Sequence, residues 1–285
     1  MLSNTIQFII LQTVLCNGAR ILGVIPTPSY SHQVAFRPIW RELSLRGHHV
    51  TVLTTDPMND TSLSNVTEID WSAAYTVYNK IFPLILQEWN CIKGFYIGAQ
   101  MMREIVDLEL RHEYVQNIIH GNVETFDLVM VEFYYPAIFA FSTKLNCPFV
   151  GLMSFDATMR SHGAVGNPTH PGLYSEYLMP FLRPRNLYER IYSTVYSLFI
   201  TVYEYLVLDP IHEDVMKKHF GDDMPSLEEL YRKVDLIFTS TNPIFHKIRP
   251  SMPTVIQFGG SRNMNSAKPL SNVSHIFLIP PFQFL

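Results

Sequence analysis

Cysteine is scarce: the 285-residue chain has three, at Cys16, Cys91 and Cys147. They form no C-x-x-C pair, so neither a disulfide framework nor a zinc site is supported. There is no basic block and the formal net charge is −4, which speaks against a nucleic-acid partner. The first strand is not followed by a G-x-G-x-x-G turn, so a nicotinamide or flavin cofactor is not expected there. No metal-ligand cluster, internal repeat or low-complexity segment is visible. The apolar runs Ile6–Cys16 and Ile276–Leu285 are too short to span a bilayer, and the second is broken by Pro280-Pro281. What remains is a chain that is 47% hydrophobic, incompatible with disorder and able to build a sizeable core.

The stretch Arg20 to Asp56 organises the rest. Ile21, Leu22, Val24 and Ile25 form a short apolar run of the kind buried on both faces of a parallel sheet. Pro26-Thr27-Pro28-Ser29 ends it. Phe36, Ile39, Trp40 and Leu43 then recur at helical spacing, and Arg46-Gly47 closes the helix. Val50, Val52 and Leu53 restart a strand. This is a βαβ unit with parallel strands and a right-handed crossover. Ligands of such folds sit beyond the carboxyl ends of the strands, and the loop there carries one side chain suited to proton transfer near neutrality, His32. Ser31 is expected to cap the helix, placing His32 in its first turn, where the dipole favours a neutral ring.

Further strands are expected at Val66–Trp71, Phe126–Glu132, Pro148–Leu152, Val234–Thr239 and Thr254–Phe258. Helices are expected at Ala73–Asn90, Phe95–His120, Pro136–Leu145 and Asn186–Leu208. The charges of the Phe95–His120 helix should form a solvated face. Glu132 stands at the end of its strand and Asp127 at the start, so Glu132 is the one placed to meet His32. The Asn186–Leu208 helix is rich in tyrosine and carries Glu204 internally. It reads as a core or acceptor-lining helix, with contact to a membrane surface as the alternative. Residues 1–19, with the apolar Ile6–Cys16 run ahead of Asn17-Gly18-Ala19, read as a signal peptide. Sequons stand at Asn59, Asn65 and Asn272.

Ser31-His32-Gln33, Phe36-Arg37-Pro38, Leu45-Arg46-Gly47-His48 and Val50-Thr51-Val52-Leu53 resemble the opening of the UDP-glycosyltransferase family, especially its insect-type members. Gly166-Asn167-Pro168 with Pro171, Arg249-Pro250 and Gly259-Gly260 extend the likeness to the end of that family's amino-terminal half. The resemblance implies an α/β fold, an open, mainly parallel sheet with helices on both faces, as in the amino-terminal half of a GT-B glycosyltransferase. It implies inverting transfer of a hexosyl group from a UDP-sugar to a hydroxyl of a small lipophilic acceptor. UDP-sugar would be the co-substrate, with no bound cofactor or metal.

His32 would be the general base and Glu132, in place of the Asp usual in vertebrate members, would orient it. Tyr30, Ser31, Phe133 and Ser154 would border the acceptor. On this reading residues 20–260 form the acceptor-binding domain, and residues 261–285 stand where a donor-binding domain and membrane anchor are expected. The chain would then be truncated and lie in the endoplasmic reticulum lumen. The rival readings are an inactive acceptor-binding module, or a partner in a homo- or hetero-oligomer with full-length relatives.

Overall fold

The computed structural model describes residues 18–123, 125–176, 179, 186–242 and 248–259. Most of the 1–19 segment, Pro243, Gly260, the 261–285 tail and its sequon at Asn272 lie outside them. Strand β1 (Arg20–Ile25) leads through the proline loop into helix α1 (Tyr30–Leu45) and then β2 (His49–Thr54). Helix α1 ends in a Schellman turn: Gly47 has φ 87°, its N–H donates to Ser44 O, and His48 N–H donates to Leu43 O. Only a residue without Cβ adopts that φ cheaply.

Next come β3 (Val66–Asp70), α2 (Ala74–Gln87), α3 (Cys91–Leu110), α4 (Glu113–Ile119) and β4 (Leu128–Glu132). A 3₁₀ turn (Pro136–Phe139), α5 (Ala140–Leu145), β5 (Phe149–Met153) and α6 (Met159–Ala164) follow. Helix α7 (Leu187–Tyr203) continues through a π-helical turn (Glu204–Leu208) into α8 (Asp209–Phe220). Pro210 sits at the start of α8, where its missing N–H removes one regular helical bond beside the wider winding. Helix α9 (Leu227–Tyr231), β6 (Val234–Thr239) and β7 (Val255–Gln257) complete the described chain.

Among the described residues all strand pairs are parallel, and their seven-stranded sheet has the order β3-β2-β1-β4-β5-β6-β7. The two faces of each strand divide between two cores. Ile21, Ile25, Val50, Val52, Met130, Val150 and Leu152 pack with Phe36 and Trp40 of α1. Leu22, Val24, Leu53, Val129 and Val131 pack with α3, α4 and α8. Period-two alternation thus feeds both layers, as burial on both faces requires. The expected open parallel sheet with helices on both faces is what the chain forms.

Two expectations are corrected. The single Phe95–His120 helix is two, α3 and α4, broken at Arg111-His112. His112 leaves helical geometry (φ −59°, ψ 134°), and its ring accepts from Tyr114 N–H, starting α4 afresh. Nor is the charge on α3 all solvated. Glu109 is buried within the core that covers this sheet face, and among the described residues neither carboxyl oxygen has a hydrogen-bond partner. Burial and the nearby Glu132 push its pKa well up, so its protonated form is favoured.

Helix α7 is amphipathic in an unusual sense. It buries Ser193 and Ser197 with Ile200 against the body, while Leu187, Tyr188, Ile191, Val195 and Leu198 face outward and exposed. The tyrosine-rich helix is therefore not a plain core helix.

Candidate active site at the carboxyl ends of β1 and β4

Strand β1 lies between β2 and β4, and the chain order reverses at it. This switch point opens a crevice at the carboxyl ends of β1 and β4. The register pairs Val24 with Val131, so Glu132 stands level with the end of β1, next to the loop that leads to His32.

The loop is held from beneath by Gln33, which is buried. Its amide lies within hydrogen-bond reach of Ile25 O, Thr27 O and Thr55 Oγ1 at 2.9–3.0 Å. Its carbonyl accepts from Thr54 Oγ1 at 2.7 Å. The Pro26–Ser29 segment, which has no ladder to satisfy its carbonyls, is thereby tied to β2. Ser29, not Ser31, is the N-cap of α1, and it caps without a side-chain bond. Ser31 lies two residues past the cap, as the second residue of the helix, with its hydroxyl 3.0 Å from that of Ser29. His32 still falls in the first turn, its N–H donating to Ser29 O.

His32 Nδ1 lies 2.6 Å from Glu132 Oε1. Glu132 is 1% exposed, and its other oxygen accepts from Thr27 N–H at 3.1 Å and Thr27 Oγ1 at 2.6 Å. Three hydrogen bonds therefore fix one buried carboxylate, which in turn fixes the ring. A carboxylate only accepts, so Nδ1 carries the proton of the neutral imidazole and Nε2 is left as the basic nitrogen. The side chain of His32 remains 21% exposed. Ser154, just past β5, places its hydroxyl 2.9 Å from Nδ1, and Phe155 meets the ring edge-on at 5.6 Å. A neutral, partly exposed His ring, oriented through Nδ1 by a buried carboxylate, is equipped to take a proton from a hydroxyl at Nε2.

The other expected site residues are placed unequally. Tyr30 is exposed at the start of α1, beneath the Arg37 guanidinium, which lies 5.0 Å from its ring centroid. Ser31 is exposed beside it. Phe133 is a correction. Although it follows Glu132, its ring is buried and stacked on Phe139 at 4.6 Å. Gly151 leaves the space it fills, since a Cβ there would lie 2.8 Å from the Phe133 ring. Phe133 is core, and the aromatic edge at His32 is Phe155.

Thr27 and Gln33 carry the most bonds around the pair. Gln33 stands in the Ser31-His32-Gln33 motif, whereas Thr27 had no signal beyond its place in the loop. Asp127 caps the opposite end of the sheet, accepting from Arg20 N–H at 2.8 Å. Among the described residues no group of three or more His, Cys, Asp or Glu is arranged to hold a metal ion, and Cys91 and Cys147 are free thiols. Of the sequons, Asn59 is exposed on the loop after β2. Asn65 lines a cavity of about 440 Å³ at the amino-terminal end of the strands, away from His32.

No family model matches the chain. Among curated proteins, it is 27% identical to UDP-glycosyltransferase UGT4 of Dactylopius coccus, a match covering 89% of this chain and 50% of the relative. It is 28% identical to the ecdysteroid UDP-glucosyltransferase of Spodoptera littoralis nuclear polyhedrosis virus, covering 89% of this chain and 52% of the relative. Among solved structures, TcCGT1 in complex with UDP aligns with a TM-score of 0.46 at 11% identity, covering 91% of this chain and 55% of that one. The chain spans about half the length of the curated relatives it matches. Along most of its own length it is thus similar to the amino-terminal half of UDP-glycosyltransferases.

Proposed function

We propose that this chain forms the acceptor-binding half of a UDP-glycosyltransferase and supplies the catalytic base. In this reading a small lipophilic acceptor lies over the loop after β1, with its hydroxyl at His32 Nε2. As the acceptor oxygen attacks the anomeric carbon of a UDP-sugar, His32 takes the hydroxyl proton. The bond to UDP breaks with inversion, and UDP leaves with the bonding pair. Glu132 holds the ring through Nδ1 and offsets the imidazolium charge as it grows, which is base-assisted displacement. Tyr30, Ser31 and Ser154 stand where they would border the acceptor. The observation that supports this reading most directly is the 2.6 Å His32–Glu132 pair at the switch point of a chain whose curated relatives are UDP-glycosyltransferases.

The test joins this chain to the carboxyl-terminal half of a curated relative and measures transfer from UDP-glucose to a panel of phenolic and steroidal alcohols. Transfer that falls roughly 10²–10⁴-fold in His32→Ala, with acceptor affinity little changed, supports the assignment. Full turnover in His32→Ala refutes it. Acceptor binding by the isolated chain without transfer in any fusion would favour the binding-module reading. The same reading places the chain in the secretory lumen with Asn59 and Asn65 glycosylated. Secretory expression should therefore give a product whose mobility shift collapses with an endoglycosidase.

A further inference from the structure

Beyond the His32–Glu132 pair the molecule holds a deeper histidine–carboxylate pair, His162 and Asp156, directly downstream of Ser154 and Phe155, which also touch His32. Asp156 follows Ser154 and Phe155 in sequence. His162 Nε2 lies 3.3 Å from Asp156 Oδ1, and the His162 side chain is 2% exposed. Its other nitrogen, Nδ1, lies 3.0 Å from Asn167 Nδ2. Asn167, also buried, accepts at Oδ1 from Met252 N–H at 2.8 Å.

These contacts determine each other. A backbone N–H can only donate, so it must meet the oxygen of Asn167, and the amide nitrogen must face His162. That nitrogen donates, so Nδ1 accepts and the ring proton sits on Nε2, where it is donated to Asp156. Arg249 reinforces the assembly, with Nη1 3.8 Å from Asp156 Oδ2 and Nη2 donating to Pro168 O at 3.2 Å. Thr254 Oγ1 donates to Val165 O at 2.9 Å, tying the segment before β7 to the same loop.

We infer that Asp156, His162 and Asn167 form a positioning clamp that seats the Ser154–Phe155 turn against His32, using the segment before β7 as its anchor. Their effect passes through the Ser154 hydroxyl at Nδ1 and the Phe155 edge on the ring. The inference builds on the reading of His32 as the base, and its test uses no turnover, so the two stand or fall separately.

The test is nitrogen-resolved NMR of the His32 imidazole in the full chain, titrated with pH, beside the melting midpoint of each variant. Ser154→Ala removes the direct contact and sets the size of the response. His162→Leu can neither accept from Asn167 nor donate to Asp156. It should move the His32 Nδ1 signal and raise its titration midpoint by about 0.3 units or more, as Phe155 withdraws and water reaches the ring. His162→Gln keeps an acceptor and a donor on its terminal amide and should leave the His32 titration as in the native chain.

Should His162→Leu fail to fold, Asn167→Ala tests the same relay from its other end, with the same shift expected. A purely structural role would lower the melting midpoint and leave the His32 signal unmoved in every folded variant, which would overturn the proposal. An equal shift in His162→Leu and His162→Gln would overturn it too, because the donor–acceptor pattern would then be irrelevant.

Discussion

Glu132→Gln is the substitution that the site geometry constrains most. Glutamine has the size of glutamate, so packing is preserved and the change is confined to hydrogen bonding. One carboxylate oxygen accepts both donors of Thr27, at 3.1 and 2.6 Å; the other meets His32 Nδ1 at 2.6 Å. Two donors at one position demand the amide oxygen, which forces the amide nitrogen toward His32. That nitrogen donates, so Nδ1 must accept, and the single proton of the neutral ring moves to Nε2. The nitrogen assigned to take the acceptor proton is then already protonated.

An amide still positions the ring, which by itself would make the effect smaller than that of His32→Ala. The geometry predicts a severe one, roughly 10²–10⁴-fold in turnover of the fused enzyme and comparable to His32→Ala. The loss of stability should be only about 1 kcal/mol, because the Thr27 bonds survive. Glu132→Asp withdraws the carboxylate by about 1.5 Å, one carbon–carbon bond. Contacts already at 2.6 Å on both sides cannot both be kept, so that variant should lose activity rather than be neutral. Long-range nitrogen–proton correlation spectra report the tautomer directly. Nδ1 should be protonated in the native chain and Nε2 in Glu132→Gln; a ring still protonated at Nδ1 in the variant would refute the reasoning.

Three other outcomes are expected. Gly47→Val, at φ 87°, should cost on the order of 1 kcal/mol or more in chemical denaturation, since a β-branched residue resists that conformation. His212 is fully buried with neither ring nitrogen partnered, and burial depresses its pKa to about 3. The unfolded chain therefore takes up the proton first, and stability present above about pH 6.5 should fall toward pH 4 by about 3 kcal/mol. His212→Phe should flatten that dependence relative to the native chain. Glu204 has the opposite sign: burial, with Glu176 and Asp209 nearby and Arg160 opposing, pushes its pKa up to about 8. Its contribution is complete below the ordinary carboxylate range and is lost as pH rises toward 8. Glu204→Gln should thus stabilise the chain at pH 8 by about 1–3 kcal/mol and by much less at pH 4.

The parallel sheet and the His32–Glu132 meeting were legible because they rest on local signals. Each inner strand is a run of apolar residues too short for a helix, bounded by proline, glycine or charge. Once β1 and β4 are adjacent and parallel, a residue just past one and a carboxylate at the end of the other share one crevice. What escaped the sequence depends on which way a side chain turns after its strand ends. Phe133 follows Glu132 directly, and pattern alone makes it a neighbour of His32. It is core because Gly151 on β5 leaves the room that its ring fills. The single helix expected over Phe95–His120 failed for a local reason, the capping geometry of His112, which helical periodicity does not register.

Glu109 illustrates a different limit. A glutamate two residues after Asp107 looks like part of one acidic face. Asp107 does meet Lys218 at 2.6 Å and His219 at 2.7 Å, and these hydrogen bonds together with Arg111 overcome its partial burial and hold its pKa well below the usual range. Two residues on, about 200° around the helix by its 3.6-residue turn, Glu109 points the other way, into the sheet. The same carboxyl group is thus paired at one position, where its charged form is favoured, and without a partner among the described residues at the other, where its protonated form is favoured. The distinction is set by which helix face lies on the sheet. That face also brings Glu109 close enough for Glu132 to raise its pKa. Burial and that neighbouring carboxyl group both disfavour a charge on Glu109, which limits the negative charge that the core behind the site has to hold.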